Sequence, residues 1–235
     1  MTTIIETIAL NNGLTANISY DLWADDPLQQ DYYFEPFAIN AWDKRCNRQD
    51  SDFCSSAKPD ISGVFYPLCD LAFLRYLSVQ DILNNIGKAE IVCYALFWQH
   101  SKGYREFLTN HQHEALMRAY RRLQEDYYFD ALGLYEHSGY SFYTGTRRGW
   151  DNSSIGFVSV ERKFHNDEAP YDDKKCESLI KTALEAYNAY ANGQIMIVDI
   201  ENQNGEIISS CSGFYDDKAI LWWLDENYGL IKETA

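Results

Sequence analysis

The stretch from residue 172 to residue 211 restricts the possible folds more than any other. Cys176, Leu179, Ile180, Ala183, Leu184 and Tyr187 recur at helical spacing and make one apolar stripe. Asp172 and Asp173 suit the positive start of that helix, and Asn192-Gly193 suits its end. Ile195 to Ile200 then reads as a strand. Asn204-Gly205, a pair that tolerates positive φ, turns the chain back through Glu206 to Cys211 as a hairpin. A helix with a single apolar face beside a hairpin needs a sheet to lie on, so mixed helix-and-sheet architectures come first.

The remaining segments extend that picture. Residues 3–10 and 14–20 read as a hairpin around Asn11-Asn12-Gly13. From Asp21 to Gly63 the chain is punctuated by Pro27, Pro36 and Pro59, which predicts irregular structure with one strand near Phe34 to Ile39. Ser78 with Asp81, and Thr109 with Gln112, have the capping-box spacing that opens helices. Val79, Ile82, Leu83 and Ile86 follow the first box, and Leu116, Ala119, Tyr120 and Leu123 follow the second. Residues 89–98, apolar on both faces, predict a central strand. Three more strands are expected at 131–137, 140–146 and 155–161, and a last helix after Asp216-Asp217 turns Ile220, Trp223 and Leu224 inward. The fold class predicted is α+β, a mainly antiparallel sheet with several packed helices. It is expected as a single domain over 1–235, with a Pro- and aromatic-rich half at 1–128 and an α+β core at 129–235.

Charge bounds the function. The chain has 35 Asp and Glu against 20 Lys and Arg, a net charge of −15, yet it is 46% hydrophobic and 15% aromatic, which supplies a packed core and rules out a disordered acidic tail. Residues 1–60 carry a net −6 and residues 171–235 a net −7. Such a field repels phosphate backbones, so direct DNA or RNA binding is not expected. It attracts a basic partner, including the groove of a protein that handles nucleic acid, although acidity also serves solubility alone. No apolar run is long enough to span a bilayer and the start, Met-Thr-Thr-Ile-Ile-Glu, does not resemble a secretory signal, so a cytoplasmic chain with no membrane partner is expected. The six cysteines, with no C-x-x-C pair, fit reduced thiols, although Cys46 and Cys54 flank a polar loop and could pair in an oxidising compartment.

The search for chemistry gives few candidates. His111-x-His113 lacks the H-E-x-x-H pattern, and His137 precedes a turn where it can act as acid or base or bond the backbone. Ser209-Ser210-Cys211-Ser212-Gly213 has no nucleophile-elbow pattern. Neither P-loop nor G-x-G-x-x-G is present, and neither cofactor nor metal is expected. Asp25-Asp26, Asp172-Asp173 and Asp216-Asp217 could hold a hard cation, or could serve as acids that helix starts select. Between Gly145 and Gly156, Arg147, Arg148, Trp150 and Asp151 offer a recognition surface. The alternative is a long hairpin in which Trp150 plugs the core and Asp151 caps the turn through backbone amides.

Several ordered motifs carry a family resemblance: Leu134-Tyr135-Glu136-His137-Ser138-Gly139, Gly149-Trp150-Asp151 with Gly156-Phe157-Val158, the helix ending at 187–193, Asn204-Gly205-Glu206, Ser210-Cys211 and Gly213-Phe214-Tyr215. Over roughly residues 130–217 the chain resembles an uncharacterised family encoded on bacterial phages, plasmids and integrated elements, departing from its pattern at Glu136, Asn152 and Ser212. The resemblance implies a mobile-element context and a host-cell location, and supplies no activity. Charge and resemblance together lead to an expectation of an acidic accessory protein. It would bind and inhibit a basic host nucleic-acid-processing complex of restriction or CRISPR type, with Trp150, Asp151, Arg147, Arg148, Asp25, Asp26, Asp216 and Asp217 as binding residues. Alternatives are a small enzyme with a pocket near Trp150 and Asp151, and an interaction module in phage replication or assembly.

Overall fold

The computed structural model describes residues 3–28, 36–42, 64, 67–68, 78–99, 108–145, 150–163 and 169–230. In chain order the elements are β1 (Ile4–Ala9), β2 (Thr15–Tyr20), β3 (Phe37–Ala41), α1 (Val79–Asn85) and α2 (Lys88–Cys93), which runs on into a π-helical stretch (Tyr94–Trp98). They continue with α3 (Asn110–Asp126), β4 (Tyr127–Glu136), β5 (Tyr140–Thr144), β6 (Asn152–Glu161), α4 (Asp173–Ala191), β7 (Met196–Glu201), β8 (Ile207–Phe214) and α5 (Asp217–Tyr228). The fold is α+β, with two antiparallel four-stranded sheets ordered β1-β2-β7-β8 and β3-β6-β4-β5. The chain divides into two compact units: residues 1–33 with 185–235, and residues 34–184.

The first unit is discontinuous in sequence because β2 pairs along its length with β7, from Thr15 opposite Glu201 to Tyr20 opposite Met196. Strand alternation decides its two faces. Ala16, Ile18, Met196, Val198, Ile200 and Phe214 point to one side, where Ile220 and Leu224 of α5 close the core. Trp223 completes it, its ring 5.6 Å from that of Phe214 and 5.5 Å from that of Tyr228. The opposite side is polar: Thr7, Asn17, Asp199 and Ser210 stand in one row across the four strands. There Asn17 donates to Glu201 at 2.6 Å and Ser210 to Asp199 at 2.6 Å, so the polar row, half-buried at Asn17 and Asp199, is tied by side-chain bonds from strand to strand.

In the second unit both capping boxes form. Ser78 and Asp81 exchange side-chain and backbone bonds at the start of α1, and Thr109 and Gln112 do so at the start of α3. The predicted central strand at 89–98 is instead α2 and its π-helical continuation. Ala89, Ile91, Val92, Cys93, Tyr94 and Ala95 are all buried, and a helix enclosed by α1, α3 and the sheet presents the same unbroken apolar run as a central strand. Cys46 and Cys54 lie outside the described residues; Cys93 and Cys176 are buried. Among the described residues no helix is long and apolar enough to cross a membrane.

Candidate functional site

In the second unit the two motifs that flank the Gly145–Gly156 loop meet. Strand β4 ends against the start of β6, with Tyr135 opposite Asn152 and the Glu136 amide donating to the Asp151 carbonyl at 3.1 Å. The β4–β5 turn is closed by the His137 amide donating to the Gly139 carbonyl at 3.3 Å, which puts Ser138 at φ +58°, a left-handed conformation unusual for serine. The Ser138 hydroxyl donates to the His137 carbonyl, so it is not aligned on an imidazole. Tyr135 and His137 have ring centroids 6.3 Å apart.

Trp150 stands fully exposed at 105% of its reference area, which overturns its expected role as a core plug. The strand that starts two residues later and the Asp151 carbonyl tie hold the backbone beside it, and leave the indole itself in solvent. The Asp151 carboxylate accepts no hydrogen bond from a described residue, so the expected cap is not made there and its backbone carbonyl makes the tie. Arg147 and Arg148 lie outside the described residues, as do His100 and His165. His113 pairs through Nδ1 with the buried Tyr94 hydroxyl at 2.7 Å, beside a cavity of about 220 Å³. Among the described residues no cluster of His, Cys, Asp and Glu has the arrangement to hold a metal ion.

Sequence reasoning missed a polar hub in the same unit. Arg162 donates from Nε to the Gln124 carbonyl at 2.9 Å, from Nη1 to the Tyr171 carbonyl at 2.9 Å and from Nη2 to Asp173 at 2.6 Å. Its guanidinium also lies 5.7 Å from the Tyr128 ring centroid. One side chain thereby ties the end of α3, the end of β6 and the start of α4, which makes it a structural clamp. Nearby, burial raises the Asp130 carboxyl above its ordinary value, while the Ala131 amide bonded at 2.7 Å opposes that rise. Burial, reinforced by Asp130, pushes the Tyr120 and Tyr128 hydroxyls up to about 12. Partners of Arg162 drawn from α3, β4 and α4 leave no local trace by which spacing could have revealed this group.

The four predicted aspartates all belong to the first unit. Asp216 is the N-cap of α5, its carboxylate accepting from the Ala219 amide at 2.8 Å, and Asp217 is exposed in the first helical turn. Asp26 accepts from the Leu28 amide at 2.9 Å, and Asp25 is exposed. Pairing of β2 with β7 also unites the two acidic ends of the sequence. Residues 1–33 and 185–235 together hold 14 Asp and Glu against two lysines, Lys218 and Lys232, a net −12 of the chain's −15. Residues 34–184 are nearly balanced, with 21 acids and 18 bases. The charge is therefore a property of one folded unit. No family model matches the chain, and no curated protein or solved structure is significantly similar to it.

Proposed function

We propose that the chain is a binding protein whose acidic unit seats on a basic surface of a host nucleic-acid-processing complex of restriction or CRISPR type and occludes it. The observation that carries this reading is the concentration of −12 into the unit made of residues 1–33 and 185–235. Charge gathered in one folded body produces a directional field, which speeds encounter with an oppositely charged surface and discourages approach to nucleic acid itself. Exposed aromatics on that unit, Trp23 at 91% and Trp222 at 68%, supply the kind of anchor that converts encounter into residence. The resemblance to mobile-element proteins supports a host defence complex as the target.

The test is inhibition of purified restriction and CRISPR nucleases by the full chain, titrated at two salt concentrations. Expected is inhibition that weakens as salt rises and weakens again in a variant with Asp25, Asp217, Asp225 and Glu226 converted to amides. The reading fails if no such nuclease is inhibited, or if the isolated protein binds DNA or RNA tightly at moderate salt.

A further inference from the structure

Adjacent tryptophans on α5 have opposite fates. Trp223 is wedged between Phe214 and Tyr228, whereas Trp222 is 68% exposed and neighbouring Leu221 43% exposed. With Ile220 and Leu224 inward, the helical repeat of about 3.6 residues puts Trp222 at the centre of the solvent-facing side. Its neighbours at three and four residues are Asp225 and Glu226 in the C-terminal direction, Ala219 and Lys218 in the other. Asp225 and Glu226 are exposed, and the Asp225 carboxylate accepts from the Leu230 amide at 3.3 Å. An indole face with two carboxylates one turn away has one matching side chain. A guanidinium can lie flat on the ring while its N–H groups reach a carboxylate in the same plane, a combination a compact ammonium does not make.

Resting on the proposal that the acidic unit docks a basic partner, we infer that Trp222, Asp225 and Glu226 form an arginine-reading anchor, and that the occupant of this helix face is an arginine-bearing segment of the partner protein. Charge complementarity selects this occupant over a second copy, because two units of net −12 repel. Trp222 sets the preference for arginine over lysine. The carboxylates set the preference for cations.

The experiment titrates the full chain with two peptides of equal charge, an Arg-Gly repeat and the matching Lys-Gly repeat, following the indole N–H resonances by NMR. Expected is binding of the Arg-Gly peptide about two- to fivefold tighter than the Lys-Gly peptide, with the Trp222 resonance moving most. Trp222→Ala should reduce Arg-Gly binding to the Lys-Gly level, Trp222→Phe should keep part of the difference, and Asp225→Asn with Glu226→Gln should weaken both peptides. Equal, salt-sensitive binding of both peptides, unchanged in Trp222→Ala, overturns the anchor and leaves the acidic docking surface standing. Failure of both peptides to bind at low salt overturns both.

Discussion

Gly156 is the position at which a single methyl group should do most damage. The pairing of β4 with β6 shifts register here: Leu132 faces Gly156 but Gly133 faces Ser154, leaving Ile155 as the extra residue of a bulge. The added twist brings Gly156 against β3, where it pairs with Ala41. A Cβ at 156 would stand 2.1 Å from the Asn40 carbonyl oxygen and 2.8 Å from the Ala41 Cα. Ordinary contact begins near 3.4 Å, so β3 must retreat by about 1.3 Å, and backbone cannot rotate aside as a side chain can. That retreat breaks or stretches the nearest ladder bonds, among them the Trp42 amide to the Ile155 carbonyl at 2.9 Å. Two such bonds at about 1 kcal/mol each, with about 1–3 kcal/mol for overpacking, give a cost of about 3–5 kcal/mol for Gly156→Ala. At about 2–4 °C per kcal/mol the unfolding midpoint should fall by about 6–20 °C. Thermal unfolding followed by circular dichroism measures it, and hydrogen exchange over 37–42 should quicken while 140–144 is unchanged. Gly145→Ala is the comparison, since nothing lies within 4 Å of its Cβ and only the positive φ of +84° opposes it, at about 1–2 kcal/mol. A Gly156→Ala protein that melts within about 1 °C of the parent, or is less harmed than Gly145→Ala, would refute the argument.

Two further outcomes are expected. Asp216→Ala should lower stability by about 0.5–2 kcal/mol by removing the α5 cap, whereas Asp217→Ala, which removes the same charge, should cost much less; equal urea midpoints for the two would deny the cap. Tyr120 and Tyr128 titrate near 12 in the folded protein against 10.0 as free side chains, so the folded state holds their protons more tightly. Stability from this source is intact below pH 10 and is lost as pH rises from 10 to 12, by about 2–3 kcal/mol for buried Tyr120. Urea unfolding across that range should show the fall, and Tyr120→Phe should flatten it.

What the sequence made legible is what local bonds decide. The helix starts at Ser78 and Thr109 and the turns at Asn12-Gly13 and Asn204-Gly205 are specified within four residues, and each forms as expected. Residues 89–98 fail for a definite reason: burial on all sides erases the periodicity that separates helix from strand. Trp150 misleads because a large indole normally seeks the interior, and only the placement of the turn reveals that it faces water. Trp222 was accessible in principle, since Ile220, Trp223 and Leu224 inward leave position 222 outward, but its meaning depends on the charge around it. That charge could not be located from sequence, because the pairing of Asn17 with Asp199 joins segments that leave no mark on one another.

That same pairing sets an order of assembly. Asn17 and its bonded partner Glu201 are 184 positions apart. At about 5–20 residues per second a ribosome takes on the order of ten to forty seconds to travel between them. Throughout that interval the N-terminal hairpin exists without the strand that shields Ala16 and Ile18, while residues 34–184 emerge with their own core complete. Synthesis therefore delivers the balanced unit before it closes the acidic one, so a nascent chain acquires its concentrated negative field only after β7 and β8 have emerged.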